Sequence, residues 1–312
     1  MNPAFSVIFL TTLLGTGQGL FLALFVIEAR VAAGLLEAPS PVFYPMGAAI
    51  VVLLLGAGLL ASFFHLGHPE RAWRTAAMWR TSWLSREVIA LPAFMAVVAA
   101  WGWAHWQDWP GTLLIGVAGA ALCLVLFLCT AMIYACIKFL QEWATPLTLV
   151  NFVLLGCASG VTLTAALAAL RREPNVPELT AWAIALIVAG LVARLASLWR
   201  NARLKPRSNL QTAIGIKHSR IVQKAQGFMG GSFNTREFFH GRAPGTLRLV
   251  KWLFIAGAFL LPIALLAAGM AADSAALLAA AFAVQYAGLV AERWFFFAQA
   301  NHPQNLYYQA VS

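Results

Sequence analysis

Eight stretches of this chain are apolar and long enough to cross a bilayer, and that repetition decides the class before any other feature is read. They fall at about 5–27, 46–65, 88–104, 113–136, 146–170, 179–199, 252–272 and 274–291. In hydrocarbon each backbone N–H and C=O must be satisfied within the protein, so every stretch reads as a helix and the fold class as an all-α integral membrane protein. Composition agrees. With 61% hydrophobic and 10% charged residues and a mean hydropathy of +0.78, there is too little charge to cover a soluble domain of 312 residues. The opening MNPAFSVIFL has neither a basic n-region nor a small-residue cleavage site, so it is read as the first retained span, and no twin-arginine signal is present.

An even number of spans puts both termini on one side. Of the 21 Lys and Arg residues, all but Arg30, Arg171 and Arg172 lie on or near that side, and the positive-inside rule makes it the cytoplasm. Much of the net charge of +10 comes from residues 200–251, which hold eleven Lys and Arg against one acid, Glu237. Residues 1–312 are therefore expected to form a single polytopic domain with one large basic cytoplasmic loop.

Several functions are disfavoured. Cys123, Cys129, Cys136 and Cys157 sit in predicted helices without CxxC spacing, which argues against a disulfide framework or an iron-sulfur site. The histidines His65, His68, His105, His218, His240 and His302 fall at helix ends or in loops, so no haem is expected inside the membrane. The mid-span polar groups read as Thr16, Gln18, Thr162, Thr164 and Gln285, none charged, which suits helix-helix hydrogen bonding better than ion coupling. No GxxxxGK[ST] loop occurs, and GFMGGSFN at 227–234 lacks the lysine and hydroxyl placement that a phosphate cradle needs; neither nucleotide nor nucleic acid is an expected partner.

One dense cluster of titratable and aromatic residues remains, HLGHPERAWRTAAMWRTSWLSRE at 65–87, where the second and third spans meet water. Reducing or oxidising a quinone moves two electrons with two protons, so its carbonyl needs a hydrogen-bonding group able to exchange a proton with water. His65 is the candidate for that contact. Glu87, at a helix start, is the candidate relay or the partner of a basic residue. Arg71, Arg74, Arg80 and Arg86 are expected to brace the pocket by pairing with Glu70 and Glu87, and Trp73, Trp79 and Trp83 to offer flat apolar surfaces. Taken singly, an arginine or tryptophan at a bilayer edge is an ordinary interfacial anchor; their coincidence in one short loop carries the functional reading.

FHLGHPERAWR followed by WRTSWLSREV resembles the signature loop of the DmsC family, the membrane anchor subunits of dimethyl sulfoxide reductase type molybdenum enzymes. The ending ERWFFFAQANHPQNLYY, 292–308, fits as well, so the likeness covers essentially the whole chain. It implies two four-helix bundles and a bound quinone, ubiquinone or menaquinone. It also implies an iron-sulfur electron-transfer subunit and a molybdopterin catalytic subunit as partners, which carry all metal cofactors. The family's quinone residues map onto His65, Arg71 and Glu87, and the fuller binding set reads as His65, Arg71, Arg74, Trp79, Arg86 and Glu87. The long basic loop, LQTAIGIKHSRIVQKAQGFMGGSFNTREFFHG at its centre, is similar to that of the related SoeC anchors of cytoplasmic sulfite dehydrogenases. Sulfite oxidation feeding the quinone pool is then the expected reaction, with a quinol-oxidising reductase anchor and a stand-alone transporter as alternatives. Within the loop, Arg236, Phe238, Phe239 and His240, with turns at Gly230 and Gly231, are expected to dock the iron-sulfur subunit; the other reading is a polybasic segment lying on anionic lipid.

Overall fold

The computed structural model describes residues 1–64, 66–224, 238–303 and 305–308. Eight helices are long and apolar enough to span a membrane: α1 Phe5–Ala32, α2 Phe43–Phe63, α3 Trp83–Trp106, α4 Thr112–Ala135, α5 Pro146–Arg171, α6 Val176–Asn201, α7 Pro244–Ala271 and α8 Ala275–Gln299. Local chemistry sets their starts. Pro146 opens α5 behind Thr145, whose hydroxyl caps the Leu147 N–H, and Pro244 opens α7; a proline costs nothing at a first turn, where its missing N–H would be unpaired anyway. Ser82 and Ser274 cap α3 and α8 in the same way.

Several of these helices extend beyond their expected limits, α7 and α8 the furthest. Helix α7 begins at Pro244, not 252, and α8 continues to Gln299, not 291. The second extension carries Glu292 and Arg293 inside a helix. Helix α7 is also interrupted by a π turn at Ala256–Leu260, just before Pro262. There Gly257 meets Gly288 of α8 so closely that a Cβ on Gly288 would lie 2.2 Å from the Ala258 nitrogen.

Helices α1 to α4 form one ring of neighbours, α1 on α2, α2 on α3, α3 on α4 and α4 back on α1, and α5 to α8 form another. The implied pair of four-helix bundles is therefore present. The rings join where α1 lies along α5. Gly15 and Gly19 face Gly156 and Gly160 across this seam, two GxxxG patterns set against each other. A Cβ on Gly19 would stand 2.1 Å from the Gly156 carbonyl oxygen, and one on Gly160 would stand 2.1 Å from the Gly19 carbonyl carbon. Lipid offers no hydrophobic drive for helices to associate, so backbone approach of this kind is what holds such an interface.

The Met1 ammonium donates to the Ala300 carbonyl (2.7 Å), so the start of α1 and the end of α8 share one face. Below it lies an aromatic cluster of Tyr134, Trp143, Phe152, Phe296 and Phe297. Trp143, in the α4–α5 connection, stacks on Phe296 with centroids 5.3 Å apart and donates its Nε1 hydrogen to the Phe296 carbonyl. On the opposite face, the α1–α2 and α5–α6 connections are tied together. There Glu173 accepts from the Ser40 backbone and hydroxyl, and Asn175 donates to the Glu37 carbonyl.

Candidate functional site

The connection between α2 and α3 contains a 3-10 helix, Pro69–Met78, and lies on the face that carries both termini. His65 falls outside the described residues. Arg71 and Arg74 are exposed, and the Arg71 Nε lies 3.7 Å from a Glu70 carboxylate oxygen that also meets the His68 Nδ1 at 3.0 Å. Trp79 is half exposed, with the Arg80 guanidinium 5.4 Å from its ring centre. Arg86 pairs with no acid among the described residues; it donates to the carbonyls of Trp79 (2.9 Å) and Arg80 (2.8 Å) and lies 4.3 Å over the Trp83 ring. Trp79, Arg80, Trp83 and Arg86 are thus gathered into one knot, with Arg86 clamping the loop onto the start of α3.

Glu87 faces the other way. It is the fifth residue of α3, 6% exposed, and its Oε1 accepts a 2.5 Å hydrogen bond from the Thr130 hydroxyl of α4. The ion pair expected between Glu87 and a loop arginine does not form. A helix turns 100° per residue, so neighbours such as Arg86 and Glu87 cannot both face the loop, and the packing of α3 on α4 takes the carboxylate inward.

Behind Thr130 lies a small cavity between the bundles, lined by Thr11, Thr12, Gln18, Thr130, Ser159 and Arg293 with apolar residues around them. It leaves about 20 Å³ for the centre of a water molecule, roughly the room for one. Arg293 enters from α8 with its guanidinium carbon 3.7 Å over the Phe152 ring. Its Nη1 is 3.8 Å from Glu292, which meets the Arg194 Nε of α6 at 2.7 Å; both are charge contacts whose N–H groups are not aligned for hydrogen bonding. All three side chains are at most 5% exposed.

This cluster overturns the expectation that the membrane interior is uncharged and that the 65–87 loop has no rival. Two signals in the sequence pointed to it. Arg194 stands in the apolar run LVARLASLW, and FFFAQA after Glu292 and Arg293 is itself apolar enough to continue a helix. A second buried group lies near the opposite face, where Glu28 of α1 accepts from the Trp101 indole (2.9 Å) and lies 3.2 Å from the His105 Nε2 of α3. The Tyr44 ring stacks on that imidazole with centroids 4.4 Å apart.

Of the residues expected to dock a partner, Gly230, Gly231 and Arg236 lie outside the described residues. Phe238 lies flat against His302 near the C-terminus, with centroids 3.8 Å apart, and His240 is buried with its Nδ1 accepting from the Arg242 N–H. The Phe238 stack ties this end of the loop to the C-terminal segment. The four cysteines are free thiols, with Cys136 exposed and the others buried or half-buried in the helices.

Comparison with known proteins bears on the whole of this arrangement. The family model described as "DMSO reductase anchor subunit (DmsC)" matches residues 1–298. The chain is 55% identical, over its full length and the full length of the relative, to a sulfite dehydrogenase subunit of Allochromatium vinosum. With its eight spanning helices in two bundles and a family match from end to end, this chain belongs to the DmsC family of membrane anchor subunits.

Proposed function

We propose that this chain is the membrane anchor of a sulfite dehydrogenase in a bacterial inner membrane, passing electrons from a cytoplasmic iron-sulfur and molybdopterin pair to a quinone. The name of its relative supports the substrate, and the excess of basic residues on the face of the termini supports a cytoplasmic location for that face. One observation carries the quinone reading: a carboxyl group, Glu87, is buried one helical turn behind a loop rich in Trp and Arg at the membrane edge.

The residues present fit a quinone head group. Arg71 and Arg74 offer exposed N–H donors and Trp79 a flat apolar face, and an imidazole such as that of His65 can donate or accept. A quinone, when bound, supplies the capacity to take up two electrons and two protons. The protein's part is to keep bulk water off with Trp73 and Trp79, to orient the head group by hydrogen bonds, and to hold a proton at the Glu87 carboxyl, which the Thr130 hydroxyl fixes in place. The water-sized cavity behind Thr130 is too small for a ring, which supports a head group on the loop side of Glu87.

In the purified complex, Glu87→Gln and His65→Ala should each abolish sulfite-driven quinone reduction while sulfite oxidation with an artificial dye continues. Equal loss of both activities would make these residues structural and end the proposal. The family model is described for DMSO reductase anchors, which keeps one second reading in view: electrons running from quinol to an S- or N-oxide. Quinol-dependent reduction of dimethyl sulfoxide by the same complex, without sulfite oxidation, would select it.

A further inference from the structure

The buried charges between the bundles do not balance by themselves. Arg194 and Arg293 set two guanidiniums against the single carboxylate of Glu292. The Arg293 Nη1 is buried, lacks a hydrogen-bond partner among the described residues, and belongs to a side chain that lines the cavity. On the other side of the cavity, the Thr130 hydroxyl spends its one hydrogen on Glu87 and keeps free acceptor capacity. Tyr134 of α4 is within electrostatic reach of both Glu87 and Arg293, which puts it between the two groups. An orphaned donor, a hydroxyl with a free lone pair and room for one water make a polar, hydratable cavity and not a dry packing defect.

We infer that this cavity holds a water molecule through which Glu87 exchanges its proton by way of the Thr130 hydroxyl, with Arg293 as the positioning residue that orients the water and offsets the carboxylate charge. When Glu87 takes up a proton, its Oε1 receives the Thr130 hydrogen and the Thr130 oxygen receives one from the water. The hydroxide left behind is stabilised by the Arg293 guanidinium until solvent returns a proton to it, and the reverse sequence discharges Glu87. No other co-reactant is needed. The inference rests on Glu87 as the proton-handling group proposed above, and it assigns that group's supply to the seam between the bundles and away from the 65–87 loop.

The groups facing Glu87 limit what else could control it. Among the described residues they are Thr130, whose hydroxyl donates to it, and Cys129 and Tyr134 of α4, which lie within its electrostatic reach; Arg86 acts on the same Cys129 and Arg293 of α8 on the same Tyr134, and His65 lies outside the described residues.

Infrared spectroscopy of the intact complex in nanodiscs tests this without quinone turnover. The carboxyl stretch that Glu87→Gln removes should shift promptly on transfer to D₂O. Gly15→Ala adds a methyl to the cavity wall at an ordinary 3.5 Å from the Gly156 Cα, so the fold should tolerate it and thermal melting should not fall. Because that methyl takes up the room for one water, exchange should slow by roughly tenfold or more. Arg293→Gln leaves Arg194 and Glu292 as a balanced pair and should raise the pH midpoint of the Glu87 band by about one unit or more, while Arg293→Lys restores it. Unchanged exchange in Gly15→Ala, an unmoved midpoint in Arg293→Gln, or no Glu87 carboxyl band at any pH would each overturn the inference. If the band behaves as stated but Glu87→Gln leaves quinone reduction intact, the relay stands and the proposed function fails. Loss of quinone reduction with unaltered exchange leaves the proposed function standing and removes the relay.

Discussion

Glu292 sits between two guanidiniums almost out of reach of solvent and lipid, and at such a site the cost of a missing charge is far larger than the value of the pair. Glu292→Gln leaves Arg194 and Arg293 buried together without a counter-charge and should destabilise the protein by about 3–5 kcal/mol. Arg194→Leu should cost clearly less, because Arg293 still stands 3.8 Å from the carboxylate. Thermal unfolding in detergent gives the order, and equal effects would mean that Arg293 does not share the carboxylate. These residues were hard to read from the sequence for a physical reason. A hydropathy window treats a charge as the end of a span, whereas a pair of opposite charges on two helices removes much of each other's penalty and lets α8 continue. Glu87 was legible as a candidate because it stands at the start of a helix, behind a loop crowded with Trp and Arg. Which way it faces depends on the packing of α3 against α4, and nothing local to the 65–87 loop encodes that.

At the scale of helices, existence was legible and ends were not. Each span announces itself by its length of apolar residues, but Pro244 looks like a breaker until it is seen to occupy a first helical turn. The division into two bundles was implied by family resemblance alone, although the glycines that weld them are plain in GTGQG and GCASG. They pass as ordinary small residues until α1 and α5 are laid together. Gly160→Ala would force a methyl to within 2.1 Å of α1 backbone, where no flexible side chain can yield. Overpacking at a rigid contact costs about 1–3 kcal/mol or more, so a marked fall in melting temperature is expected for Gly160→Ala and none for Gly15→Ala. Comparable melting of the two variants would show that the α1–α5 contact is looser than drawn.

Taken as a whole, the molecule is electrically lopsided, with its basic residues gathered on the face that bears both termini. On that face Lys138, Lys205 and Arg207 border a cleft of about 910 Å³ beside Asn301 and His302. If the iron-sulfur partner seats there, Lys205→Glu with Arg207→Glu should weaken its retention during purification at low salt, and the difference from wild type should shrink as salt rises. Full retention at low salt would move docking elsewhere. Burial and the neighbouring N-terminal charge hold the His302 imidazole below its ordinary range, so the ring stacked on Phe238 is neutral near pH 7. The folded state then binds fewer protons there than the unfolded one, and the stack should loosen as pH falls below about 6.5.

The glycine weld has a mechanical meaning. Carriers that open to one side of the membrane and then the other do so by rocking one bundle against its twin, a motion that needs slack along the hinge line. Here main chain is pressed on main chain across that line, which leaves no such slack, so the two halves are built to move as one rigid frame.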